Sequence, residues 1–455
     1  MKSRYFLTLL FGFFLALPAL GRSGQVPADQ PQQPSAATPP AQAPTSSAPP
    51  ENKETQEAKP PAATPPSATE PSFGPLMSVL DKAGLAKPLK KARTNIYGYV
   101  EGGYMHDFTS PGFNDGPTFI GFNSFKNKAI LDKVSLNVER TVDPTKKQFD
   151  MGFHLEGIYG ADAAFIHSNG MWDTQTGRNQ WDLLQAYVDV TLPDMPLRLR
   201  VGKWIELAGF EQFSANIYGA FGDPAKALYS FSYQFLYAEP GTQTGALVTY
   251  VLNPHWTFDA GLTRGWNQSL RDANGVPDFL GRVTFTPSDK TSITFVMTEG
   301  PEFPAGVGKN LPPGDNSDSW TALDLVITKK VTDKLSLGLG FDYVETPHIP
   351  GLTGGAKQWG GATGYVSYAF HPRLTLNTRL EWYEDAANGF STGAAISAGY
   401  YEATMGVAIK PFLKGNILSH LLFRPEVRYD HSDRPVFGKG DHNQSTFGVG
   451  ALFAF

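Results

Sequence analysis

The chain has 455 residues, carries 38 lysines and arginines against 43 acidic residues, and has no cysteine. Its net charge of −5 gives no reason to expect a nucleic-acid partner, and a chain without cysteine is not held together by disulfides. After the N-terminus, no apolar run reaches the length of about 18 residues that predicts a membrane-spanning helix. With 47 glycines and 13% aromatic residues, the composition fits either an outer-membrane β-barrel or a soluble all-β sandwich.

We predict that residues 1–21 are a secretory signal peptide. Lys2 and Arg4 precede an apolar run from Tyr5 to Leu17, and the run is followed by the small-x-small pattern Ala19-Leu20-Gly21. The alternative is a membrane helix. It is disfavoured because the apolar run has about 13 residues, whereas a span needs about 20.

The next two segments are expected to lie ahead of the folded domain. Residues 22–72 consist mainly of Pro, Ala, Thr, Gln and Ser without an aromatic residue, which predicts a disordered periplasmic segment with polyproline II character. This segment is interpreted as a solvated spacer, with a tether to the cell wall as the alternative. Residues 73–94 have apolar side chains at helical spacing, limited by Pro88, and predict a short amphipathic lead-in rather than a plug.

From residue 95 to the end, short segments alternate polar and apolar side chains. In one of them Lys133 and Ser135 alternate with Val134 and Leu136, so that the two sets lie on opposite faces of a strand. Counting such segments gives about 16, an even number as in bacterial single-chain barrels. In three segments neither face is strongly polar or strongly apolar, so their register is poorly defined: 95–107, 242–253 and 357–370.

The connections between these segments alternate between short and long. Short turns such as Pro193–Pro196 and long loops such as Gly160–Asn179 follow each other along the chain, which is the asymmetry of outer-membrane barrels. A sandwich has no reason to place every long loop at one end. We therefore predict an all-β, transmembrane antiparallel barrel, 95–455, in the outer membrane of a Gram-negative cell, with short periplasmic turns and long extracellular loops. An even strand number then places the N-terminal segment in the periplasm.

The last strand and the tryptophans also indicate an outer-membrane environment. Phe447, Val449 and Phe453 share a face with the terminal Phe455, a pattern that resembles the signal read by the barrel-assembly machinery. The apolar faces are expected to contact outer-membrane lipid. Candidates for the aromatic belts at the membrane interfaces are Trp204, Trp256, Trp320, Trp359 and Trp382.

The longest connection, Glu206–Gly241, follows the fifth strand and is the candidate functional segment. It contains nine phenylalanines and tyrosines, which are unfavourable on a free surface loop. Barrels of about 16–18 strands leave an aqueous channel. We expect the segment to fold inward, hide its aromatic side chains and narrow the lumen. The alternative is an external lid or an oligomer clasp.

Charged residues on the inferred inward faces are the candidate pore lining. On the wall these are Lys133, Glu139, Glu156, Asp189, Arg198, Arg200, Arg379, Glu381, Arg424 and Arg428, with His154, Arg282, Asp342 and Glu426 as further candidates. In the long loop they are Glu211, Asp223 and Glu239. Opposed acidic and basic groups create a transverse field, and their mixed signs predict weak ion selectivity. For each residue, a plain salt bridge within the wall is the alternative.

Signals of enzymatic chemistry are weak, so no enzyme is predicted. The nine histidines form no zinc-protease spacing, and no serine–histidine pair stands out near one rim. The acidic stretch Asp315-Asn316-Ser317-Asp318 could bind Ca²⁺ loosely, but a solvated loop is favoured. No cofactor and no metal site are predicted.

A set of short motifs, in this order, is similar to the OmpL-like family of outer-membrane β-barrel porins. The motifs lie within about 180–270: Gln185-Ala186-Tyr187-Val188, Gly202-Lys203-Trp204, Gly209-Phe210-Glu211, Ser230-Phe231-Ser232-Tyr233, Glu239-Pro240-Gly241 with Gly245, and Gly265-Trp266-Asn267. The resemblance covers roughly 95–455 and implies a pore-forming barrel whose loop carries the Ser-Xaa-Ser-Tyr segment. The Pro-rich leader departs from the family pattern.

The expected function is passive diffusion of small hydrophilic solutes or ions through a water-filled barrel. Two alternatives stay open, a solute-selective channel of the sugar type and a barrel anchor for a periplasmic cell-wall tether. A homotrimer is possible by analogy with 16-stranded porins.

Overall fold

The computed structural model describes residues 74–109, 121–123, 127–213, 228–303, 319–353, 357–415 and 417–455. All of them belong to one structural unit, 60–455. The predicted signal peptide, the Pro-rich segment 22–72 and the acidic stretch 315–318 lie outside the described residues.

Sixteen antiparallel strands close into one barrel. Each strand pairs with its neighbours in the chain, and the first pairs with the last. The strands are β1 Asn95–Asp107, β2 Ala129–Arg140, β3 Asp150–Gly160, β4 Gln180–Thr191, β5 Leu197–Ile205, β6 Thr242–Asn253, β7 Trp256–Thr263, β8 Asp278–Ser288, β9 Thr291–Pro301, β10 Ser319–Lys330, β11 Leu335–Thr346, β12 Lys357–His371, β13 Leu374–Asp385, β14 Ala398–Ile409, β15 Leu421–Ser432 and β16 Asn443–Ala454. The predicted barrel of about 16 strands is confirmed, and the three poorly defined segments are β1, β6 and β12.

Alternation of side chains separates the inside of the barrel from its outside. In β13, Arg379 and Glu381 are buried inside, whereas Leu380 between them is 64% exposed on the outer surface. An apolar exterior suits lipid, and closure leaves no unpaired strand edge. The two faces of the sequence pattern therefore correspond to the two faces of the closed sheet.

The C-terminus takes part in closing the barrel. Phe455 donates its backbone N–H to the Gly98 carbonyl over 2.8 Å, and the Gly98 N–H donates to the Phe455 carbonyl over 2.9 Å. Phe447 lies on the outer face of β16 and is 36% exposed. The last residue thus continues the ladder that joins β16 to β1.

Two short helices precede the barrel, α1 Pro75–Lys82 and α2 Ala86–Lys91. The sequence predicted one helix limited by Pro88, but the break lies earlier, where Gly84 adopts a left-handed backbone with φ +76°. Pro88 is accommodated in the first turn of α2, where its missing N–H has no helical partner in any case. Among the described residues, no helix has the length and apolar character that crossing a bilayer requires.

Three of the five tryptophans proposed for the interface belts lie elsewhere. Trp204 has no exposed surface, Trp359 is 2% exposed, and the partly buried Trp320 contacts Trp359 with ring centroids 5.1 Å apart, so all three pack inside the barrel. The indole N–H of Trp359 donates to the Tyr237 carbonyl over 3.0 Å. Their belt assignment is therefore wrong. Trp204 has the same strand parity as Arg198 and Arg200, so the alternation in β5 already favoured an inward position for it.

Candidate functional site

The candidate site is built where the segment 206–241 lies inside the barrel. This segment leaves β5 after Ile205 and enters β6 at Thr242, and its described parts are 206–213 and 228–241. The short helix α3, Tyr233–Tyr237, lies in it. Hydrogen bonds join these parts to the inward faces of β12, β13 and β15, and their side chains also lie against Gly338 of β11, Gly406 of β14 and Gly450 of β16. For these described parts the prediction of an inward-folded loop is confirmed, and they do not form an external lid.

Two wall glutamates bind four backbone N–H groups of the loop. Glu381 on β13 accepts from Tyr233 and Gln234 over 2.7 and 2.8 Å. Glu426 on β15 accepts from Tyr229 and Ser230 over 2.7 and 3.0 Å. The N–H groups of Tyr233 and Gln234 lie at the start of α3, where the first N–H groups of a helix have no partner within the helix. Charged acceptors make these hydrogen bonds stronger than neutral ones.

A buried arginine joins the loop to two further wall residues. Arg379 has no exposed surface, and it donates to Glu211 of the loop over 2.6 Å and to Glu402 of β14 over 3.0 Å. It also donates to the Ser230 carbonyl over 2.8 Å. The guanidinium carries several donors in one plane, so it can bind loop and wall together.

Two arginines of β15 extend this contact along the strand. Arg428 donates to the Phe231 carbonyl over 2.6 Å and also binds Asp430. Arg424 donates to the Leu228 carbonyl over 3.0 Å and pairs with Glu101. The loop is therefore held by charged groups of β13, β14 and β15, each of which has an opposite charge or a backbone dipole as partner.

Aromatic side chains fill the space between loop and wall. Phe210 stacks on Tyr365 of β12 with ring centroids 4.0 Å apart. A Cβ atom at Gly338 of β11 would clash with the Phe210 ring, and one at Gly103 or Gly450 would clash with Tyr229. Glycine at these wall positions lets the aromatic rings approach the strand backbone closely.

A second group of charges lies on β4, β5, β7 and β8 and keeps some solvent exposure. Arg200 binds Asp189 through two hydrogen bonds of 2.9 Å, and Arg198 lies 3.7 Å from the same carboxylate. Arg282 binds Asp259 over 2.8 Å. The side chains of Arg198, Arg200 and Arg282 are 20%, 12% and 22% exposed. The arginines are therefore the water-accessible members of these pairs.

A third group brings together three carboxylates, Glu239 of the loop, Asp324 of β10 and Asp342 of β11. All three are buried, and one oxygen of each lies within 4.8 Å of the others. Burial, followed by repulsion from Asp342 and Asp324, raises the pKa of Glu239 well above its usual range. Oxygen donors of this kind could hold a hard cation.

The remaining predicted residues lie on β2 and β3, and one cannot be placed. Buried Lys133 binds Asp162 over 2.7 Å and lies 3.2 Å from Glu101. Glu139 accepts from the Tyr97 hydroxyl, and Glu156 accepts from Ser135 and Gln185 over 2.7 and 2.8 Å. The predicted loop residue Asp223 lies outside the described residues.

Sequence reasoning missed several charged partners of the predicted residues. These are Glu101, Asp324, Glu402 and Asp430. Glu402 was detectable, because Tyr400, Glu402 and Thr404 alternate along β14 and all three are buried inside. Asp430 was detectable as well, because it follows Arg428 on the same face of β15. The partners of Glu101, Asp324 and Glu402 were not detectable, since they come from separate strands.

One stretch has the residue spacing of a hydrolase nucleophile motif but not the structural context that the motif requires. Gly389–Gly393 reads Gly-Xaa-Ser-Xaa-Gly, but it lies in the connection between β13 and β14 rather than on a strand-to-helix turn. The Ser391 hydroxyl bonds to Asp385 and Tyr383 over 2.8 Å each. The serine is thus bound to a carboxylate and a phenol, not to a histidine base.

Comparison with known proteins gives one family and a set of similar structures. The sequence profile of the family described as Putative beta-barrel porin-2, OmpL-like, matches residues 93–455. The anion-selective porin from Comamonas acidovorans has a TM-score of 0.50 and 10% identity, over 80% of this chain and 99% of that chain. OprB of Pseudomonas putida, in a high-pH structure, has a TM-score of 0.51 and 14% identity, over 82% and 97%. These two likenesses show a shared fold. No curated protein matches the chain.

Proposed function

Since the chain belongs to the Putative beta-barrel porin-2, OmpL-like family and is an outer-membrane porin, we propose that it passes small hydrophilic solutes by passive diffusion alongside the inward-folded loop 206–241. The observation that carries the proposal is the docking of this loop inside a closed barrel of 16 strands. A barrel of this size is too wide for wall side chains alone to fill it. The loop therefore sets the width of the passage, and the protein acts as a channel rather than an enzyme.

The charged residues divide into two roles in this proposal. Arg379, Glu381 and Glu426 are buried and bound to the loop, so they hold it in place. Arg198 and Arg200 keep exposed surface, so they face the passing solute, as does Arg282. Three accessible arginines share two aspartates, Asp189 and Asp259, which leaves a small positive excess on this part of the wall.

This excess supports a weak preference for anions. An exposed guanidinium attracts an anion, but its paired carboxylate and dissolved salt reduce the attraction. We therefore expect a modest departure from equal permeability, and neutral solutes pass according to their size. Strict exclusion of cations is not expected.

The assignment as an outer-membrane porin also predicts where the N-terminal segments and the C-terminus lie. We infer that 1–21 is removed on export, that 22–72 lies in the periplasm, and that 73–94 leads into the barrel 95–455. Phe455 ends the strand that closes the barrel, which supports its role as the contact for the assembly machinery. Porins of this size commonly form trimers, and we propose the same for this chain by analogy.

Diffusion through reconstituted liposomes tests the proposed function. We expect neutral sugars to swell the liposomes at rates that fall steeply with solute size, and a salt gradient to give a small reversal potential of the sign for anion preference. Swelling by one sugar alone, with larger and smaller ones excluded, supports the sugar-selective alternative. No swelling by any solute from folded, inserted protein contradicts a diffusion channel.

A further inference from the structure

We propose that Glu239, Asp324 and Asp342 form a Ca²⁺ site that fastens the returning end of the loop to the barrel wall. The two aspartates lie on neighbouring strands, β10 and β11, at positions that face each other across the ladder. Glu239 comes two residues after α3 and three residues before β6. An ion bound to all three would join loop and wall at a point that the hydrogen bonds of β13–β15 do not reach.

Two carboxylate oxygens of this group lack a donor. Oδ1 of Asp342 and Oε2 of Glu239 are buried and accept no hydrogen bond from the described part of the chain, whereas the Asp324 carboxylate lies beside the backbone N–H of Gly209. Asp324, Asp342 and Glu239 are 5%, 3% and 8% exposed. No lysine or arginine among the described residues forms a salt bridge with them. Buried charges normally have a partner, so these oxygens point to a cation.

A cavity of about 10 Å³ lies beside the two aspartates, and it is lined by the loop residues Ala208 and Ala238 and by Trp266. At the start of the loop Gly209 has φ +82°, and a Cβ there would clash with the Glu239 carboxylate. Glycine therefore allows the outgoing part of the loop to pass close to the carboxylates.

The spacing of the oxygens satisfies the requirement of Ca²⁺ as it stands. Oxygens bound to one ion cannot be further apart than twice the metal–oxygen distance, which is about 4.6–5.2 Å for Ca²⁺. The three oxygens lie within 4.8 Å of one another. Ca²⁺ also accepts irregular geometry and added water ligands, whereas Mg²⁺ demands a near-ideal octahedron. We therefore assign Ca²⁺ as the preferred ion.

Binding is tested on the full-length protein after removal of metal with a chelator. TbCl₃ serves as the probe, because Trp266 lines the cavity and can sensitise Tb³⁺ emission on excitation. We expect one saturable Tb³⁺ site, displaced by CaCl₂ at lower concentration than by MgCl₂. Calorimetric titration with CaCl₂ alone should give the same stoichiometry. No saturable Tb³⁺ emission and no heat from CaCl₂ in folded wild-type protein overturns the proposal.

Matched variants locate the site. D324N and D342N each remove one charge from the group and should weaken Ca²⁺ binding at least tenfold. D278N is the control, because Asp278 is a buried strand carboxylate outside the group, and it should bind Ca²⁺ within twofold of wild type. Wild-type affinity in both D324N and D342N contradicts the assignment and indicates that the carboxylates are held by shared protons. Failure of one variant to fold leaves the other and the wild-type titration to decide.

Only the consequence of binding rests on the proposed function. If Ca²⁺ fastens the loop, removal of Ca²⁺ should increase the fluctuations of the open-channel current, and return of CaCl₂ should reverse the change. Ca²⁺ binding without any conductance contradicts the proposed channel and leaves the site intact. Conductance without Ca²⁺ binding contradicts the site and leaves the channel intact.

Discussion

The contact between the loop and the two wall glutamates predicts how the pore responds when they are neutralised. In the double variant E381Q/E426Q, each side chain keeps one carbonyl oxygen and presents an amide NH₂ where a carboxylate oxygen accepted a loop N–H. Each substitution therefore loses one charge-assisted hydrogen bond and leaves one buried donor unpaired, at a cost of about 2 kcal/mol.

The expected change is large enough to measure. A loss of about 2 kcal/mol raises the undocked population of the loop about 30-fold, and the two sites together, about 4 kcal/mol, raise it up to about 1000-fold. The barrel itself should remain folded, because its closure depends on backbone pairing between strands. The loop, and not the wall, is what these substitutions loosen.

Single-channel recording measures this response. We expect E381Q/E426Q to show frequent transitions to a larger conductance that are rare in wild type, with single variants in between. E299Q is the control, since Glu299 accepts from the wall residues Ser319 and Thr321 and not from the loop. Traces of the double variant that match wild type, in a folded barrel, refute the view that these glutamates hold the loop.

Three further predictions concern other parts of the interior. In R198Q/R200Q, loss of two accessible positive charges should move the reversal potential towards or beyond zero in a salt gradient, and an unchanged potential contradicts their place beside the solute. In G450A, the new methyl group should displace Tyr229 and weaken loop docking by about 1–3 kcal/mol, read as increased current fluctuations, whereas G157A, with open space at its Cβ position, should behave as wild type. In R379M, two buried carboxylates lose their cation, which should lower the free energy of unfolding by about 3–5 kcal/mol. Adding E211Q to R379M should restore part of that free energy. If the losses of the two single variants simply add, Arg379 and Glu211 do not form an ion pair.

The barrel was predictable because each strand carries its own evidence. Glu381 and Arg428 each stand between apolar neighbours with a period of two, so their inward orientation follows from one segment at a time. The alternation of short turns and long loops added the topology. Three mild strands were harder to register, since neither of their faces carried a strong sequence signal.

The interior contacts were not predictable, because they join distant parts of the chain. Arg379 and Glu211 are separated by 168 positions, and Glu426 and Tyr229 by 197. The sequence indicated a loop too aromatic to remain outside, but not which wall residues would receive it. The buried position of Trp359 follows from the same packing, because its N–H group donates to a loop carbonyl.

The most direct test of the central claim is the single-channel conductance of the purified full-length chain in planar bilayers. A water-filled barrel narrowed by an interior loop predicts stable, reproducible conductance steps that increase when loop docking is weakened. Folded protein that inserts into the bilayer and gives no steps, in wild type and in E381Q/E426Q alike, contradicts this account.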